Sequence, residues 1–348
     1  MSLSPQRASD PTLELGPAPR ISIVMPVYNA ERLLGECLAA LRASTWRDFE
    51  IIVVDDSSTD GSREIAAAHG ARVVPSGGRL GPGRARNKGA ETARGDIVFF
   101  IDSDVVVRPD TLAKLVAAFE RDPKLDGVIA VQSPTMRFRN LCSVYKNLWM
   151  YYTYVRRAGE DVPLFYTTAA GIRRAAFVAS GGFDVNYTNP NIEDTDYGQK
   201  LARMGFRIQV LPDLEVEHVK GYDLAGLLRV DFLRSMSLAR LKLRKSADGI
   251  GTNDTSVPTG YILSVPLAAL AMVALLLGLL LGNRALLIAN FLALAVVLVL
   301  NVPFLSLIRA HGGMRAWGLS CGLLIVELLA AGAGSAVGIA TYLSGKKY

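Results

Sequence analysis

The chain has 348 residues, half of them hydrophobic, a formal net charge of +6 and three cysteines. That length holds one ordinary domain plus further structure, and Cys37, Cys142 and Cys321 show neither metal-site nor disulfide spacing, so reduced thiols are expected. The positive charge is local. Between 224 and 246, Arg229, Arg234, Arg240, Lys242, Arg244 and Lys245 face Asp231 alone, which argues against a general nucleic-acid surface.

Residues 1–20 are polar, contain prolines and lack an apolar h-region, so they read as a disordered tail without a signal peptide. The apolar run Ile21–Val27 then predicts a buried strand. Tyr28-Asn29-Ala30 breaks it, and 31–41 carries apolar residues at helical spacing. A strand over 50–54 ends in Asp55-Asp56, followed by a helix over 62–69 and a short strand over 72–74. The glycine-rich loop 77–83 leads into a helix over 84–93 and a strand within 96–106. Next come a helix over 111–119, a strand over 127–132 and an aromatic, cation-flanked helix over 140–157. That helix either packs in the core or lies near a lipid interface, where Trp and Tyr are enriched. Strand and turn over 165–174, a tight turn at 181–184, a helix over 193–204, and a final strand over 207–211 followed by Glu215–His218 complete this part. The alternation predicts a doubly wound α/β sheet with right-handed crossovers.

The remainder is apolar. From 261 to 308 the only charged residue is Arg284, and from 319 to 343 it is Glu327. Both lengths exceed the roughly 20 residues that span a bilayer. Three transmembrane helices are expected, roughly 260–282, 285–308 and 318–343. Glu327 inside the last admits a structural or a functional reading. The basic stretch before them suits an anionic cytoplasmic leaflet. The expected organisation is a tail (1–20), an α/β domain (21–222), a basic amphipathic interfacial segment (223–258) and transmembrane helices (259–345).

Three polar clusters fall at the carboxyl ends of predicted strands: Pro26-Val27-Tyr28-Asn29, Asp55-Asp56 and Asp102-Ser103-Asp104. In an open α/β sheet those ends share the rim where ligands bind. Two carboxylates at i and i+2 project to one side of an extended chain and suit Mg²⁺ or Mn²⁺, with substrate phosphates completing the shell. Taken alone, an Asp-x-Asp is more often an acidic turn after a buried strand. An aromatic ring and a carboxylate on the same rim suit a nucleotide base, and no GxGxxG or P-loop lysine directs the reading to NAD or ATP.

The segments ISIVMPVYNAERLLGECLAAL, FEIIVVDDSSTDGS, GPGRARNKGAETARGDIVFFIDSD and GGFDVNYTNPNIEDTDYGQKLARMGF resemble, in order and spacing, the family 2 inverting glycosyltransferases, over about residues 21–220. The resemblance implies the GT-A (Rossmann-like) nucleotide-sugar-binding fold, followed here by an α-helical transmembrane domain. It implies a nucleotide-sugar donor, most commonly of uridine diphosphate, with the base near Pro26, Tyr28, Asn29 and Asp56, and Arg86 close to the donor. It places Asp102 on the ribose side and Asp104 on a divalent Mg²⁺ or Mn²⁺, to which Asp102 and His218 also lie close. Asp194 of the Glu193-Asp194 pair is the implied base.

No Gln-x-x-Arg-Trp follows His218, a departure from the processive synthases that favours transfer of single sugars. The transmembrane stretch suggests a lipid or lipid-linked acceptor and a multi-pass protein of the inner (plasma) membrane with its catalytic domain cytoplasmic. A polyprenyl-phosphate acceptor and a nucleotidyltransferase on a similar rim are the alternatives.

Overall fold

The computed structural model describes residues 17–188, 192–249 and 255–345. Most of the expected tail therefore lies outside the described residues. Short β-branched runs alternate with amphipathic helices as β1 (Ile21–Val27), α1 (Glu31–Arg42), β2 (Phe49–Asp55), α2 (Ser62–Ala68), β3 (Arg72–Pro75), α3 (Pro82–Thr92) and β4 (Ile97–Ile101). The second half runs β5 (Val105–Val107), α4 (Thr111–Arg121), β6 (Gly127–Gln132), α5 (Leu141–Val155), β7 (Ala169–Arg173), α6 (Arg174–Ser180), α7 (Glu193–Arg203) and β8 (Ile208–His218). The C-terminal helices are α8 (Leu224–Ala247), α9 (Thr259–Leu281), α10 (Arg284–Leu300) and α11 (Val302–Leu343).

Among the described residues the strands form one sheet in the order β3-β2-β1-β4-β7-β6-β8-β5. The β3-β2-β1-β4 half is parallel, as expected. Beyond it the sheet is mixed: β7 runs antiparallel to β4 and β6, and β5 antiparallel to β8. The strand expected within 96–106 ends before Asp102 as β4, and a further strand, β5, follows it. The chain turns at Asp102-Ser103-Asp104, and the three-residue β5 crosses to the far edge, where Val105 pairs with His218. The core lies on both faces of the sheet because successive side chains of a strand alternate. Val24, Val54 and Phe100 join Phe165, Phe177, Phe183 and Tyr197 on one side, while Ile23, Met25 and Phe99 meet Leu34, Leu38, Leu112 and Phe119 on the other.

Helix α5 is a packing element that joins the α/β domain to the helices after it. The Tyr145 hydroxyl donates to Glu327 (2.8 Å), as does that of Tyr261 (2.8 Å), and Trp149 packs on Tyr261 and Phe304. Lys146 of α5 pairs with Asp231 of α8. Glu327 is therefore a structural junction for α5, α9 and α11.

Helix α8, in the basic segment, is pressed along α11, where Gly334 and Gly338 leave no room: an added Cβ would sit 2.2 Å from the Phe232 carbonyl oxygen and 2.3 Å from that of Met236. Several of its cations are spent inside the protein. Arg244 reaches Asp196 (2.8 Å) and Tyr187 (2.6 Å), Lys245 reaches Asp196 (2.5 Å), and Arg240 reaches Thr341 (2.9 Å).

The apolar helix boundaries also shift. α10 stops at Leu300 instead of 308, because Asn301 turns its side chain back to the Val297 carbonyl and to Ser264 (2.8 Å each). A new helix begins with Pro303 in its first turn, where proline is tolerated, and bends at Gly313 (φ 77°). α9 and α11 are long and apolar enough to cross a membrane, whereas α10 has 17 residues. Leu270, Leu279, Leu280, Phe291 and Leu292 stand exposed on α9 and α10, an apolar face that water does not favour.

Candidate active site

The rim at the carboxyl ends of β1, β2 and β4 gathers the first clusters. Pro26 and Val27 sit opposite Val54 and Asp55. Tyr28 emerges beyond β1 with 41% of its surface exposed. Asn29 adopts positive φ (50°), and its side-chain oxygen accepts from the Thr59 amide (2.8 Å), so it braces the β2–α2 loop. Asp56 is buried, and its two oxygens accept from the amides of Leu80 (2.9 Å) and Gly81 (3.1 Å), tying the glycine-rich loop to β2. Asp55 is held by Arg63 (2.6 Å).

Arg86 organises the centre. It lies on α3, only 4% exposed, and bridges two carboxylates: Nη2 donates to Asp102 (2.9 Å) and Nη1 to Glu193 (2.8 Å). Burial pulls its pKa down, but Asp102 and Glu193 more than offset that, so it stays charged. α7 thus opens beside the end of β4, and Asp194 enters the same cluster. Both acids occupy the first turn of α7, where the helix dipole favours negative charge. Asp194 is 8% exposed and accepts from the Thr195 amide (2.6 Å). Burial, then the neighbouring Glu193 charge, push its pKa up to about 6, against the pull of Arg234 and Arg86. A carboxylate so tuned is suited to accept a proton near neutral pH.

Asp104 points elsewhere. Its Oδ2 lies 3.3 Å from Nε2 of His218. Burial works against ionisation, but the hydrogen bond from His218 prevails and holds the carboxyl below its usual range. The turn after β4 therefore splits the Asp-x-Asp pair, with Asp102 on Arg86 and Asp104 on His218. Among the described residues no three His, Cys, Asp or Glu side chains gather as a self-sufficient ion site. A half-exposed carboxylate beside an imidazole still fits a divalent cation that takes its remaining ligands from substrate phosphates and water.

Two residues here escaped the sequence reading. Gln132, at the end of β6, lies 3.1 Å from Nδ1 of His218 and 2.7 Å from the Tyr166 hydroxyl, orienting the ring from behind. The available signal was a lone polar residue closing an apolar strand on the same rim. Arg234, counted above among membrane-facing cations, turns inward. Its charge acts on Tyr154, Asp194, Tyr166 and Asp231.

Residues 22–180 match the family Glycosyl transferase family 2. Among curated relatives, glycosyltransferase GlyG of Streptococcus pneumoniae is 36% identical over 100 residues, 27% of this chain and 33% of that protein. The poly(ribitol-phosphate) beta-glucosyltransferase of Bacillus spizizenii is 41% identical over 106 residues, 27% of this chain and 16% of that protein. The chain thus spans a third or less of these relatives' length. Among solved structures, the mannosyltransferase PcManGT of Pyrobaculum calidifontis, in complex with GDP-Man and Mn²⁺, shares the fold with a TM-score of 0.55 at 22% identity. That likeness covers 91% of this chain and 86% of that one, more than the α/β domain alone.

Proposed function

We propose, from the match of residues 22–180 to the family Glycosyl transferase family 2, that the chain moves a single sugar from a nucleotide-sugar, a uridine diphosphate sugar in the first instance, to a hydroxyl of a lipid or lipid-linked acceptor, with inversion. The observation that carries the reading is the bridge through Arg86. It brings the Glu193-Asp194 pair to the strand end that bears Asp102 and Asp104, which supports a base and a donor site side by side.

In this reading the base of the donor lies against Tyr28 with Asp56 beneath it, and Asp102 faces the ribose. Asp194 takes the proton from the acceptor hydroxyl as that oxygen attacks the anomeric carbon from the side opposite the leaving diphosphate. Arg86 and Glu193 hold Asp194 in place. A Mg²⁺ or Mn²⁺ ion held by Asp104, with His218 and Asp102 nearby, would supply positive charge to the departing nucleoside diphosphate.

A buried carboxylate with its pKa near 6 supports a hydroxyl acceptor, because a phosphate acceptor is already ionised and needs no base. The exposed apolar faces of α9 and α10 support a place in a membrane, and in this reading that is the inner (plasma) membrane with the catalytic domain cytoplasmic. The test is a screen of nucleotide-sugars against membrane lipid extract, with and without Mn²⁺, followed by mass analysis. A lipid product gaining one hexose mass is expected, and loss of donor without any glycosylated product would overturn the reading.

A further inference from the structure

The glycine-rich loop between β3 and α3 has a feature that donor chemistry alone does not require. Gly77 and Gly78 adopt positive φ (94° and 141°), a conformation glycine takes without the steric cost of a side chain. Leu80 and Gly81 are then anchored through their amides to Asp56. Between the glycines and the anchor stands Arg79, an exposed residue whose guanidinium carbon lies 4.4 Å from the centroid of the Tyr28 ring. Two stacked layers need about 3.5–4.0 Å each, so a base cannot slip between them. One face of the Tyr28 ring is thus already taken.

We propose that Arg79 is a latch on the donor site: its guanidinium occupies a stacking face of Tyr28, and an incoming nucleobase displaces it. The inference rests on the reading of Tyr28 as the base-stacking residue. The loop backbone keeps its place during the exchange, because Asp56 holds it from below and Gly81 abuts the Thr188 carbonyl, which a Cβ would approach to 2.6 Å. Only the Arg79 side chain moves. The slot thus stays covered until a planar ring competes for it, and the apparent affinity for the base is reduced by the fraction of time the latch is open.

The experiment uses the full chain in detergent. Binding of the common nucleoside diphosphates to the wild type is measured first by calorimetry, and the nucleoside carrying the preferred base is then titrated, without phosphates, into wild type, Arg79→Ala, Tyr28→Ala and the double variant. An exposed cation–π contact predicts that Arg79→Ala binds the nucleoside about three- to sixfold more tightly. In the Tyr28→Ala background the same change should give no gain. Unchanged or weaker binding in Arg79→Ala overturns the latch while leaving the donor site standing, as does an equal gain without Tyr28. If no nucleoside diphosphate binds the wild type, the reading of the site fails and the latch with it.

Discussion

Arg86 and Glu193 lie 107 residues apart in sequence and meet at 2.8 Å with both side chains almost fully buried. The same guanidinium reaches Asp102, so one cation neutralises acids from two halves of the domain. Removing one partner of a buried ion pair leaves the other uncompensated and costs about 3–5 kcal/mol. Arg86→Ala should lower the melting temperature markedly and weaken donor binding. Arg86→Lys keeps the charge but lacks the planar fork that spans two carboxylates, so it should recover part of the stability and little of the turnover. Thermal melts and transfer assays on the same preparations check both.

Asp194→Asn should reduce transfer by ~10²–10⁴-fold, the usual worth of general-base help, with donor affinity nearly intact. Unchanged turnover would remove Asp194 from the role. The pH dependence follows with its sign. The base acts as carboxylate, so activity should fall as pH drops through about 6, roughly tenfold per unit below it. The linked stability runs the other way. Because the folded pKa is raised above the usual 3.8, this group favours the folded state most at low pH, and that contribution is lost as pH rises from about 4 to 6. The groups facing Asp194 are Glu193 on its own helix, Arg86 from α3 and Arg234 from α8.

Asp104→Ala removes the carboxylate that His218 addresses. Its expected signature is lost Mn²⁺ binding, read directly by electron paramagnetic resonance, in a domain that still melts cooperatively near the wild-type temperature. A variant that fails to fold would return this turn to a purely structural role.

Gly334→Leu tests whether α8 is held by close contact with α11. With backbone of α8 already within 2.2 Å of an added Cβ, the helices must separate. Overpacking of this kind costs typically ~1–3 kcal/mol and forces backbone shifts. A lower melting temperature in detergent is expected, together with weaker transfer, since α8 carries Arg234 towards Asp194. Unchanged stability would show that the contact is dispensable.

Much of the α/β domain was legible because its code is local. Short continuous apolar runs marked β1, β2 and β4, helical spacing marked α1, α4 and α7, and carboxylates after strands marked the rim. The short strand β5 went unread for a non-local reason. Valines 105–107 have strand propensity in either arrangement, and the partner they take, Val216–His218 of β8, lies more than 100 residues on. Gln132 and Arg234 went unread because a polar residue gains its meaning from what it touches. In the C-terminal region, hydropathy found the apolar helices, but Asn301 and Gly313 set their bounds through side-chain hydrogen bonds and a backbone bend.

By itself, then, the sequence determined the element types, the chemical groups at the strand ends and the presence of long apolar helices, because propensity, hydropathy and side-chain chemistry are properties of residues and their near neighbours. Only the tertiary structure decided that Arg86 ties Asp102 to Glu193, that Asp104 turns to His218, that α8 spends cations on α7 and α11, and that Arg79 lies over Tyr28. Each is a choice among several opposite charges or rings. Long-range packing and the cost of burying an unpaired charge make that choice, and neither is written in the local pattern.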